Sequence, residues 1–86
     1  MTIPTPPWLH HIPPADRRHA WRRYLLKTAA LIATPDGQLR SLERAVGVSQ
    51  GALSVFMRKK MPVRLAEKVE GATNGLVRAS QLVDVE

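Results

Sequence analysis

Apolar residues in this 86-residue chain recur every three to four positions, and no stretch sustains the alternation that marks a strand. Trp21, Tyr24, Leu25, Thr28, Ala29 and Ile32 share one face of a long first helix, expected over about residues 15–33. Arg17, Arg18, Arg22, Arg23 and Lys27 occupy much of the rest of that helix. Pro14 suits a first helical position, and Asp16 suits the positive end of the helix dipole. The run Thr34-Pro35-Asp36-Gly37 is turn chemistry and ends the helix. A second helix is expected over 38–46 with Leu39, Leu42 and Val46 inward, and Gly47 can stop it by taking a left-handed backbone. Ser49 can cap a third helix over 50–59, with Leu53 and Phe56 inward. Pro62 opens a fourth, to about residue 73, with Val63, Leu65, Ala66 and Val69 inward. Asn74-Gly75 is a stop signal, and Ser80, Gln81 and Leu82 add a last turn. The pattern predicts an all-α fold of four to five helices.

Residues 1–14 stand apart. They hold Pro4, Pro6, Pro7, Pro13 and Pro14, five of the seven prolines, which predicts an extended arm in place of a helix. Trp8, Leu9 and Ile12 are apolar anchors that would dock this arm on the domain or on a neighbouring subunit, the other reading being a mobile tail. The expected organisation is therefore a Pro-rich arm over 1–14, a helical domain over 15–82 and a polar tail over 83–86. In so short a chain Leu76, Val77, Leu82, Val83 and Val85 are hard to cover internally, so the C-terminal segment is the expected dimerisation surface.

Composition narrows the function. There is no cysteine, which excludes disulfides and thiolate metal sites and suits a reducing cytoplasm. No apolar run nears the roughly 20 residues that cross a bilayer, and the N-terminus lacks the layout of a secretory signal, so no membrane partner is expected. The net charge is +6, unevenly spread: the cations concentrate before residue 65, while Glu67, Glu70, Asp84 and Glu86 leave the remainder acidic. A polyanion partner follows, because neutralising phosphates releases condensed counterions. His10, His11 and His19 come with no carboxylate cluster that would complete a metal site, no nucleophile stands beside a base, and neither an enzyme nor a cofactor is expected.

The stretch 39–60 carries the sharpest signal. If its second helix packs inward through Leu53 and Phe56, then Gln50, Gly51, Ser54, Val55 and Arg58 form the opposite stripe. Gly51 and Ser54 are small enough for close approach to base edges. Gln50 can bond adenine in a bidentate manner, Val55 can meet a thymine methyl, and Arg58 can reach guanine or phosphate. Lys59 and Lys60 would clamp phosphates or close the helix as solvated cations. Arg17, Arg18, Arg22 and Arg23 are open to two readings, a solvated face or phosphate contacts beside the motif.

These residues resemble the Cro/lambda-repressor-like helix-turn-helix superfamily, in its YdaS-like, Cro-like branch. AVGVSQGALSVF is similar to the branch's pattern of alanine, apolar, Gly-Val-Ser-Gln, two small residues, aliphatic, serine, any residue and aromatic. MPVRLAEKVEGATNG resembles its proline-headed helix, and the likeness covers about residues 38–82. It implies a helix-turn-helix over 38–59, with Gly47 as turn glycine and Ser49 as cap. The DNA-contacting set it implies is Ser49, Gln50, Gly51, Ser54, Val55, Arg58, Lys59 and Lys60. Glu43 stands where the branch has a small alanine, which predicts slightly opened packing or an outward carboxylate. Gly51 replaces a polar side chain and removes one base contact. The arm and the arginine-rich helix instead resemble small plasmid-borne repressors of the Kor type. The implied function is a repressor from a plasmid or phage that binds a palindromic double-stranded DNA operator as a homodimer, in the cytoplasm and on the nucleoid when bound. The alternative is an antitoxin that holds a toxin through the apolar arm residues and represses its own promoter. A second repressor protein is a further candidate partner, and a nonspecific chromosome-compacting protein is the third reading.

Overall fold

Among the described residues five α-helices and one 3-10 turn form around an apolar cluster, and no strand occurs. The computed structural model describes residues 3–56 and 59–83. Helix α1 (Pro14–Ala33) begins at a proline, whose missing N–H costs nothing at a helix start. Its buried stripe is Arg22, Leu25, Leu26, Ala29 and Ala30, whereas Ile32, expected inward, is 40% exposed in the last turn. Thr34 closes α1 by donating its hydroxyl to the Ala30 carbonyl and accepting the Gly37 N–H at 3.0 Å. The chain then reverses into α2 (Leu39–Val46), a short α3 (Ala52–Val55), α4 (Val63–Ala72) and α5 (Ala79–Leu82).

Helices α1, α2 and α4 supply most of the core. Leu25, Leu26, Leu42, Leu53, Val69, Val77 and Leu82 are its largest fully enclosed apolar side chains. The Cα radius of gyration is 12.0 Å, close to the value of about 12 Å expected for a chain of this length folded on one core. Val63, expected inward, is the first residue of α4 and is 56% exposed; Met61, two positions before it, is buried instead. Thr73 is fully buried, and its hydroxyl accepts the Val77 N–H at 3.1 Å, turning the chain from α4 towards α5.

Two expectations about the ends change. The arm is not simply extended: Pro7–His11 form a 3-10 turn, with the Leu9 N–H on the Pro6 carbonyl and the Ile12 N–H on that of Leu9. Pro7 is tolerated there for the same reason as Pro14, and burial of Leu9 repays the ordering. Arg17 fastens this turn to α1 by donating to the carbonyls of Leu9 (3.2 Å) and Ile12 (3.1 Å), and Gln81 holds the Ile3 carbonyl at 2.9 Å. At the other end, Val77 and Leu82 are core residues of the chain itself, because α5 folds back on α4 and α1. They are therefore not free for the dimer surface expected of them. Val85 lies outside the described residues. Among the described residues no helix is long and apolar enough to cross a membrane.

Candidate nucleic-acid interface

The unit from α2 to α3 is built by two left-handed glycines. Gly47 (φ +78°) ends α2, with the Val48 N–H returning to the Glu43 carbonyl at 3.0 Å. Gly51 (φ +87°) stands immediately before α3, in a backbone conformation where a side chain would be strained. Gly51 thus has a backbone reason to lack the polar side chain that the resemblance led one to expect. It also delays the helix: α3 is assigned over Ala52–Val55, two residues later than expected, although the Lys59 N–H still reaches the Val55 carbonyl at 3.2 Å. Ser49 contributes its carbonyl, which accepts the Ala52 N–H, and makes no side-chain cap.

The cap comes from Glu43. Its side chain is 4% exposed; Oε1 accepts the Gly51 N–H and Oε2 the Leu53 N–H, both at 3.0 Å. The carboxylate is turned inward, from α2 to the start of α3. It satisfies two amides that the start of α3 leaves without intrahelical partners, and places negative charge at that end. At the other end Arg22, 2% exposed, donates from α1 to the Phe56 carbonyl at 2.9 Å and to that of Lys59. A four-residue helix thus sits between a buried anion and a buried cation from two other helices. Sequence reasoning did not find either role, although a signal existed. Glu43 lies in the apolar series Leu39, Leu42, Val46, and Arg22 lies three and four positions before the buried Leu25 and Leu26.

With its ends held and Leu53 in the core, α3 presents a bare outer surface. Ser49, Gln50, Gly51, Ser54, Val55, Lys59 and Lys60 are all exposed, Val55 by 49%. Arg58 lies outside the described residues. Gln50 is oriented by a residue that the motif did not flag: Arg40 of α2 donates to its Oε1 at 2.8 Å. Ser54, Val55 and Lys59 border an open groove of about 1250 Å³, whose far wall is the side of α1 bearing His19, Arg23, Tyr24 and Lys27. Trp8 of the arm also lines it, edge-on to Tyr24 at 5.6 Å, while Trp21 stacks on the same ring at 5.7 Å.

The start of α2 is held by Asp36. Its carboxylate accepts the Gln38 N–H (3.0 Å) and the Ser41 hydroxyl (2.7 Å), and these bonds hold it below its ordinary pKa. Among the described residues no group of three or more His, Asp or Glu side chains is placed to hold a metal ion. No known family model, curated protein or solved structure matches this chain.

Proposed function

We propose that this chain is a sequence-specific DNA-binding repressor, using α2 and α3 as a helix-turn-helix with α3 as the recognition helix. The observation that carries the reading is the construction of α3. It is held at both ends by the buried Glu43 and Arg22, yet its outer face offers Ser54 and Val55 to a partner, with Gln50 in the turn before it and Lys59 and Lys60 after it. Small and polar groups at the helix start suit base edges, and cations at its end suit phosphates. Such a helix reads only a few base pairs, so a homodimer on a palindromic operator is the natural assembly, and occupying the promoter is the means of repression. The alternative of a protein-holding antitoxin loses one of its three contacts, since Leu9 is buried in the chain itself.

The test is selection of bound duplexes from a random pool, followed by affinity measurements on the selected sequence and on a random one. Gln50→Ala is expected to weaken the selected duplex by about tenfold or more, the value of one good base contact. The random duplex should change little. Equal losses on both duplexes would remove Gln50 and the outer face of α3 from sequence reading.

A further inference from the structure

Helix α1 carries five cations, and the structure divides them. Arg17 ties down the arm, and Arg22 holds the end of α3. Arg23 and Lys27 make no hydrogen bond or ion pair with the described residues; both are exposed, one turn apart, on the wall of the groove that faces α3. Lys59 lines the opposite wall beside Ser54 and Val55. Cations on both walls of one groove, with the apolar surfaces of Tyr24, Leu39 and Val55 among its lining, suit a chain of phosphates joined by apolar sugar faces.

We propose that Arg23 and Lys27 are phosphate-binding residues, and that one backbone strand of duplex DNA lies along the groove between α1 and α3. The proposal rests on the DNA-binding reading and extends its site from the two-helix unit to α1. The spacing agrees: Arg23 and Lys27 are about 6 Å apart along the helix axis, a span of roughly two phosphates of one strand. Asp16, the carboxylate lining this groove, is about 16 Å from Lys27 along α1, so the acidic end is well separated from the cationic one. The strand would cross beside Ser54 and Val55, which fixes the register in which α3 meets the bases.

Counterion release gives a direct readout, because each phosphate contact adds about 0.9 to the slope of log affinity against log salt. The full chain would be titrated with a labelled mixed-sequence duplex of about 20 base pairs, two helical turns, between about 50 and 200 mM salt. Three proteins are compared: the wild type, Arg23→Gln/Lys27→Gln, and Arg64→Gln/Lys68→Gln, the last removing two exposed cations of α4 outside the groove. The groove variant should lose about 1.8 from the slope per protomer, and the α4 variant almost nothing. An unchanged slope in the groove variant, or equal losses in both, overturns the proposal while leaving DNA binding by the wild type in place. A wild type that binds no duplex overturns both. Circular dichroism melts keep a folding defect from being mistaken for a lost contact, since all four positions are exposed.

Discussion

Helices α2 and α3 are neighbours of similar purpose, but they are held in place by opposite means. α2 has eight residues, buries Leu42, Glu43 and Val46, and receives its start from Asp36, two and five positions from the groups it binds. α3 has four residues and buries only Leu53. Its end groups are satisfied by Arg22, 34 and 37 positions away, and by Glu43 across the turn. A single turn does not nucleate alone, because it fixes several dihedral angles for one hydrogen bond. A helix that leaves its outer face small and uncovered has little apolar surface with which to offset that cost. A helix with so bare an outer face thus takes its stability from the side chains of other elements.

The largest expected effect breaks the long-range tether. Arg22→Ala leaves the Phe56 and Lys59 carbonyls without their buried cationic donor and should cost about 3 kcal/mol in urea unfolding. Arg22→Lys should recover less than half of this, since both bonds come from Nη1 at the far tip of the guanidinium, beyond the reach of the shorter lysine side chain. A loss below about 1 kcal/mol, small against the usual penalty for an orphaned buried group, would mean that α3 is as self-sufficient as α2.

This division also decides what could be read from the chain. The helical period marked α1, α2 and α4, and Gly47 marked the turn, because those signals lie within one element. Arg22 and Glu43 are polar letters on apolar stripes, and period alone treats them as exceptions; their partners are fixed only when α1, α2 and α3 meet. The sorting of the α1 cations was hidden for the same reason. Arg17, Arg22 and Arg23 are equivalent in composition and differ only in which side of α1 meets the arm, the end of α3 or the groove. In the sequence Gly51 is only a missing side chain, whereas its positive φ makes it a backbone requirement.

An intermediate effect is expected at the start of α3. Glu43→Gln keeps the shape but leaves one oxygen acceptor for two amides and sets an amide donor against an N–H. The cost should be about 2 kcal/mol, between a neutral and a charge-assisted hydrogen bond lost in a buried site. Native-state hydrogen exchange should show the Gly51 and Leu53 amides opening faster, with the α4 amides changed only as far as global stability falls. Uniform acceleration across α3 and α4 would argue that Glu43 supports the whole core and not this helix start.

The smallest effect belongs to the local cap of α2. Asp36 is fully exposed, and its carboxyl is held below the ordinary value of 3.8, chiefly by the Gln38 N–H and then by the Ser41 hydroxyl. A folded-state pKa below the unfolded one contributes stability that is complete above the unfolded value and disappears as pH falls through the folded value. Wild type should therefore melt slightly above Asp36→Asn at neutral pH, and the gap should begin to narrow as the pH drops below 3.8 and vanish only below the lower folded-state value. Solvent screens this exposed site, so the gap stays well under those at Arg22 and Glu43. A gap that persists unchanged into acid would assign the effect to the shape of the Asp36 turn and not to its charge, and would set the start of α2 apart from the charge-held ends of α3.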